Sequence, residues 1–466
     1  MQWHRIRSFF SSAFLSFKQF VQMILLKLFT LSINSNSRCF NRDFLALVKG
    51  VGLFQKSKTW NASEILSKWS RYHTFQNQGD FFLATKLRRE VLAEIYDKNF
   101  IESGYYPPII PEHFTGPIGH KAFLGIHLAA QKLGLIPRGN RFAIVKSDVD
   151  KDPLLNLYQD SIKFVKYEDG SGWTDLPSHW HIVESPLLIR GFDGFIESYE
   201  LVDEVFRTQK VSRESAHFSL EPSYIEKSSR MLERFGFTES DWFVGLHIRD
   251  GNEKPALRNQ QISNYLPAIR EITNRGGWVI RIGAEHMPPL PRMHNVIDLV
   301  QETDALREFH LFVLACGLFF IGTCSGPQYF PPLFGVPTLF TNQIGSGRSI
   351  LTFSEHSIHL PKTYTDSDAK PASFTQMLSS PFGYGELTLE QYRKMGINIR
   401  ENTSLEILEA VQEMFSRISG EVISLDQEFD FEIDRIRNLF PWTSKGRIAN
   451  SFLRRNSDWF LGDRNK

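Results

Sequence analysis

Short apolar runs bounded by Gly and Pro alternate with longer helical stretches from about residue 101 to residue 375, and no other feature constrains the fold so tightly. The runs cover 105–110, 141–145, 182–184, 243–248, 278–282, 296–299, 318–321 and 336–340. Helical periodicity covers 121–133, 201–211, 222–235, 262–275 and 304–316. A helix between two strands returns the chain to the edge it left, so the strands pair in parallel and both faces of the sheet are covered. The runs form two groups, one before about residue 195 and one from about 240 to 375, joined by the helical stretch 196–240.

The expected class is therefore α/β, with two facing Rossmann-like domains at 101–235 and 236–375. A helical connecting layer at 43–100 precedes them. Helices and a tail at 376–466 follow, with helical spacing at 387–395 and 405–418 that suits a return to the first domain. The tail aromatics Phe440, Trp442, Phe452, Trp459 and Phe460 are expected to pack under the cleft, as apolar side chains do more often than not.

In sheets of this kind ligands bind beyond the carboxyl ends of the strands, so chemistry is expected in the loops directly after strands. The strongest is Val244-Gly245-Leu246-His247-Ile248-Arg249-Asp250-Gly251, where an apolar strand ends abruptly in four polar groups. Strand alternation puts His247 and Arg249 on one face, and a planar guanidinium fork there suits a diphosphate. A buried Arg–Asp pair beside a core histidine is the plainer alternative. The second loop, Phe320-Ile321-Gly322-Thr323-Cys324-Ser325-Gly326-Pro327, runs into hydroxyls and an expected helix start that Ser325 or Thr323 would cap, which makes an anion site. In the third, Thr115-Gly116-Pro117-Ile118-Gly119-His120-Lys121, glycines admit close approach and the following helix offers amides. The fourth, Gln343-Ile344-Gly345-Ser346-Gly347-Arg348-Ser349, suits either a nucleotide wrap or a plain connection.

Asp148-Val149-Asp150 raises a metal reading, but with Asp152-Pro153 directly after, a solvated turn is expected and no metal or other cofactor is called for. Cys39, Cys316 and Cys324 form neither a disulfide framework nor a zinc pattern, which fits a reducing cytoplasm. Lys plus Arg total 53 against 52 Asp plus Glu, so no whole-protein field attracts nucleic acid.

Residues 1–42 contain no acidic residue, while Arg5, Arg7, Lys18, Lys27, Arg38 and Arg42 are interleaved with Phe9, Phe10, Phe14, Phe17, Phe20, Ile24, Leu28 and Leu31. That is a basic amphipathic helix, expected to lie on an anionic membrane through residues 1–35. Lys18, Gln19, Gln22 and Lys27 interrupt it before the roughly 20 apolar residues of a membrane span. The expected location is the cytoplasm, peripheral on the inner face of the cell membrane.

The segment 242–342 resembles a bacterial family of glycosyltransferases met in polysaccharide gene neighbourhoods. The resemblance rests on Phe243-Val244-Gly245-Leu246-His247-Ile248-Arg249-Asp250, Arg258-Asn259, Asn264-Tyr265-Leu266-Pro267-Ala268-Ile269, Gly276-Gly277-Trp278-Val279-Ile280-Arg281-Ile282-Gly283, Phe320-Ile321-Gly322-Thr323-Cys324-Ser325-Gly326 and Phe334-Gly335-Val336-Pro337. It extends weakly upstream through Gly119-His120. More distantly, His247-Ile248-Arg249 is similar to the His-x-Arg opening of the fucosyltransferase motif, whose Arg holds the donor β-phosphate; the Asp expected three residues after the Arg is Asn252 here. The resemblance implies a GT-B-like fold and transfer from a nucleoside-diphosphate sugar, without a metal, to a glycan or lipid-linked acceptor. On it, Arg249, Thr323, Ser325, Gly326 and Asn259 would bind the donor, with Arg249, His247 and Asp250 as the catalytic set. Gly119 and His120 would face the acceptor, and Asp250, Glu285 and His120 are the candidate bases. The competing expectation is a catalytically silent nucleotide-sugar or glycan-binding assembly protein at the membrane; a third is a metal-dependent transferase using Asp148 and Asp150.

Overall fold

Among the described residues the apolar runs fold as strands and the stretches between them mainly as helices, for the reasons their spacing gives. The computed structural model describes scattered positions between 67 and 90 and residues 109–110, 115, 118–136, 142–145, 152–166, 188–190, 195–208, 216–250, 257–301, 309–344, 353–354, 356–373, 389–421, 427–439 and 446–457. The amphipathic segment 1–42, nearly all of the layer 43–100, Asp148, Asp150, the run 182–184, Asn252 and the loop 345–349 lie outside the described residues. Among the described residues no helix is long and apolar enough to cross a membrane.

Three short strands, β1 (Ile109–Ile110), β2 (Phe142–Val145) and β3 (Lys163–Lys166), form a parallel sheet in that order. Helix α1 (Ile118–Lys132) follows β1, and the turn α2 (Pro153–Asn156) starts on Asp152, which accepts from the amides of Leu154 and Leu155. An antiparallel pair, β4 (Leu188–Arg190) with β5 (Phe195–Glu197), leads into α3 (Ser198–Thr208) and α4 (Pro222–Glu233).

The larger sheet is built from β6 (Phe243–His247), β7 (Trp278–Arg281), β8 (Val296–Asp298), β9 (Phe320–Thr323), β10 (Thr338–Gln343) and β11 (Ile358–Pro361). An antiparallel pair, β12 (Thr363–Thr365) with β13 (Asn398–Arg400), follows, and β14 (Arg447–Ile448) pairs with β11 at the sheet's edge. Helices α5 (Leu266–Asn274), α6 (His310–Cys316), α7 (Leu389–Lys394), α8 (Ser404–Ile418), α9 (Gln427–Leu439) and α10 (Asn450–Arg455) complete the chain order. The seven strands are all parallel, in the order β14-β11-β10-β9-β6-β7-β8. From β6 the chain winds outward through β7 to β8, returns to β9 at the side of β6, and winds the opposite way. The reversal between β6 and β9 leaves a crevice at their carboxyl ends, the usual ligand position in such a sheet.

Each face of the sheet is covered by a separate core. On one, Val244, Leu246 and Ile248 pack with Ile269 and Ile272 of α5, with α8 and with Phe452 and Leu453 of α10. Helix α8 shows why it folds there: Ile407, Ala410, Val411 and Met414 recur at helical spacing, and all are 0–1 % exposed. Burying each of the three larger ones contributes roughly 1.5–3 kcal/mol relative to exposure. Thr403 caps the helix and accepts from the amide of Glu406, whose carboxylate accepts from the amide of Thr403 in return. So α8 and the tail complete the larger sheet and do not return to the first one, because their apolar stripes match the bare face of β6, β10 and β11.

On the other face, Phe243, Ile280 and Phe320 pack with α6 and with Leu201, Val202 and Val205 of α3 and Ala122, Ile126 and Ala129 of α1. Helix α1 is buried on its opposite side too, where Leu124 and Leu128 meet Leu155, Tyr158 and Ile162. Its first turns are pinned by an ion pair from Lys121 to Asp152 and by Tyr158, whose hydroxyl donates to the Lys121 carbonyl at 3.0 Å.

Candidate functional site at the strand reversal

Two of the four loops singled out in the sequence meet at the reversal. His247 is paired in register with Gly322, so the end of β6 lies directly beside the end of β9. The Arg249 amide donates to Thr323 Oγ1 at 3.0 Å, and Thr323 Oγ1 lies 3.5 Å from His247 Nδ1. Thr323 is fully buried, so its hydroxyl ties the two loops together from below.

His247 is 2 % exposed. Burial, reinforced by the nearby Arg281, His310 and Arg249, pushes its pKa down to about 3, so the imidazole is neutral at ordinary pH. Arg249 is half-buried just past it. Burial and the neighbouring Arg258 both work against its charge, and among the described residues no carboxylate pairs with its guanidinium. Among the described residues, the Arg–Asp pair expected as the plainer alternative is not formed. Asp250 turns its electrostatic influence to Arg281 instead. The positive charge of Arg258 beside it makes the Arg249 guanidinium a place where a bound anion would be favoured.

The loop after β9 departs from the expected α-helix. Ser325 stands at the start of a four-residue 3₁₀ turn, Gly326–Tyr329, makes no capping hydrogen bond, and is followed by a second such turn at Pro331–Phe334. Pro331 and Pro332 remove amides that a continuing α-helix would need. The long helix that does begin here is α1. A Cβ on Gly119 would lie 3.0 Å from Gly326 Cα, and one on Gly326 would come within 2.5 Å of Gly119 N, so the two backbones touch. Gly119 therefore abuts the β9 loop on one side and, like His120 beside it, is half-buried. Asn259, half-buried, stands on the segment that returns to the site when the Gln260 amide donates to the Arg249 carbonyl at 2.9 Å. Glu285 is exposed.

Three features were missed in the sequence. Arg281, at the end of β7, is fully buried; Nη1 donates to the Pro288 carbonyl at 2.7 Å and pairs with Asp298 at 3.2 Å, while Nε and Nη2 find no acceptor among the described residues. A buried polar network supports the floor: Asn342 Nδ2 donates to Tyr265 Oη at 3.0 Å, Tyr265 Oη lies 2.8 Å from Thr341 Oγ1, and the Asn402 amide donates to Asn342 Oδ1 at 2.7 Å. Asn342 has φ of +53°, a left-handed conformation that Asn tolerates, and it sits where the β10–β11 register shifts. Lys362, directly after β11, is 3 % exposed. Among the described residues no group of three or more His, Cys, Asp or Glu is placed to hold a metal.

No protein-family model matches the chain, and no curated protein does. Among solved structures it is similar to the ADP-heptose lipopolysaccharide heptosyltransferase II of E. coli, at 8 % identity, covering 67 % of this chain and 100 % of that one, with a TM-score of 0.40. A family 9 glycosyltransferase from Veillonella parvula aligns at 12 % identity over 64 % of this chain and 79 % of that one, with a TM-score of 0.30. The iron-containing dodecameric glycosyltransferase TibC of enterotoxigenic E. coli aligns at 14 % identity over 67 % and 76 % respectively, with a TM-score of 0.34.

Proposed function

We propose that the chain is a glycosyltransferase that moves a sugar from a nucleoside-diphosphate sugar to a glycan or lipid-linked acceptor in bacterial surface polysaccharide synthesis. One observation carries this reading: Arg249 and Arg258 lie close together, with no carboxylate on Arg249 among the described residues, at the strand reversal where such sheets bind ligands. The resemblance of segment 242–342 to glycosyltransferases supports it independently.

In this reading the diphosphate enters beside Arg249. Its negative charge replaces the missing counter-ion, and the guanidinium fork meets two phosphoryl oxygens. As the bond to the sugar breaks, charge grows on the leaving oxygen, and a cation already in place needs no reorganisation to stabilise it. His247, neutral and enclosed, positions Thr323, which fixes the Arg249 backbone; it adds no charge of its own. Ser325, Gly326 and Asn259 line the same crevice and complete the donor contacts. Asp250 takes the proton from the acceptor hydroxyl. No metal is assigned to the leaving group, whose charge the arginines meet. Residues 1–35 hold the enzyme at an anionic membrane surface on its cytoplasmic side, near a lipid-linked acceptor.

The test is nucleotide-dependent thermal stabilisation of the purified protein with ADP, GDP, UDP, CMP and their sugars, with and without chelator, followed by release of the nucleoside diphosphate. A chelator-insensitive shift with one diphosphate, lost in Arg249→Gln, with turnover of its sugar, is the expected result. Saturable binding without turnover would instead establish the silent glycan-assembly reading.

A further inference from the structure

Lys362 has no part in the function just described, yet its surroundings are unusual for a lysine. It is 3 % exposed. Burial depresses its basicity, against the opposing influence of Glu401 and Cys324. Its position is fixed by backbone geometry. Pro361 pairs with Gln343, the Lys362 amide donates to the Gln343 carbonyl at 2.8 Å, and Gln343 Nε2 donates to Gln328 Oε1 at 3.1 Å, two residues beyond Gly326. One strand further in, Thr341 pairs with Thr323. Lys362 therefore lies at the same end of the sheet as the site, on the far side of the β9 loop from Arg249. The half-exposed Cys324 thiol is in electrostatic range of both cations. Glu401, which acts on Lys362 from a distance, is held by the Gln261 amide at 3.1 Å.

We propose that Lys362 and Arg249 are the two jaws of a diphosphate clamp that closes over Cys324, Arg249 taking one phosphoryl group and Lys362 the other. This deepens the transferase reading and rests on it for the identity of the ligand. Two cations on opposite sides of one loop discriminate a diphosphate from a monophosphate, which can reach only one of them. A lysine serves as the second jaw because a point charge on a flexible stem follows the departing group without a fixed fork.

The probes are inorganic pyrophosphate and orthophosphate, so that no nucleotide need be known. Calorimetry on the full chain is expected to show Lys362→Met weakening pyrophosphate at least tenfold and orthophosphate less than threefold, with Lys362→Arg recovering most of the loss. Equal pyrophosphate affinity in wild type and Lys362→Met would overturn the clamp. Because a buried substitution can disturb folding, the wild-type chain supplies a second readout: alkylation of Cys324 by iodoacetamide, followed by peptide mass mapping. Saturating pyrophosphate is expected to slow it at least fivefold, and an unchanged rate would overturn the proposal. The two readings fail separately. Clamp signatures without turnover of any nucleotide sugar remove the transferase and keep the clamp. Turnover that depends on Arg249 but neither on Lys362 nor on Cys324 shielding removes the clamp and keeps the transferase.

Discussion

Two arginines stand at the carboxyl ends of neighbouring strands and have opposite settings. Arg281, ending β7, is fully enclosed, with Asp298 at 3.2 Å and a backbone carbonyl at 2.7 Å. Arg249, just past β6, is half-open, lies near Arg258, and has no carboxylate among the described residues. The first charge is neutralised by the protein itself and the second is left for something else to neutralise. Local compensation thus separates a structural cation from a ligand-binding one, although both belong to the same sheet edge and the same residue type.

Arg281→Met puts the largest strain on this contrast, because it leaves Asp298 facing a vacated, enclosed space. An unfolding free energy lower by about 3–5 kcal/mol is expected from denaturant titration. Arg249→Gln should do the reverse, leaving the melting temperature equal or slightly raised while kcat/KM falls about a hundred- to a thousandfold, the cost of removing one preorganised donor to a developing anion. If Arg249→Gln unfolds the protein and Arg281→Met only slows it, the distinction is wrong. Gly326→Ala tests shape without touching charge: the added methyl meets the Gly119 backbone, and a loss of about 1–3 kcal/mol is expected with weaker nucleotide binding.

The most gradual effect, small for each pH unit, concerns acid. Burial pushes His247 down to about 3, and burial reinforced by Lys132 pushes His217 down to about 4. Both bind a proton more readily in the unfolded chain, so between about pH 6.5 and those values the unfolded state carries more protons and stability falls as pH falls. Each histidine contributes a slope of at most about 1.4 kcal/mol per pH unit. Thermal melts from pH 7.5 to 4.5 should show the decline, and His247→Asn should make it shallower.

The sequence pointed to the reversal itself, because His247, Arg249, Thr323 and Gly326 directly follow apolar strands, where local pattern is informative. It also singled out the Gly119 loop, which it assigned to the acceptor side; the contact of Gly119 with Gly326 carries no local signal. The importance of Arg281 and Lys362 was not legible in the same way. Each is a lone polar residue closing an apolar run, and only the neighbouring strands, distant in sequence, decide whether it meets a carboxylate. The Asn342–Asn402 pair is 60 residues apart and carries no local signal. Ser325 was misread because hydroxyl–glycine–proline is a good helix opening by itself; the two later prolines at 331 and 332 shorten it into 3₁₀ turns. Strand β14, two residues long, is beneath what periodicity detects.

That last strand also sets the timing of assembly. On the ribosome the strands that carry Arg249 and Thr323 emerge long before Arg447–Ile448 and the helix at Asn450–Arg455, which cover the edge of β11 and the apolar face beneath it. Until those residues are made, the nascent sheet presents an unpaired edge and a bare hydrophobic face, the two features that invite chains to stick to one another. Synthesis halted before residue 400 would yield aggregate or a chaperone client, whereas the finished chain closes its own sheet.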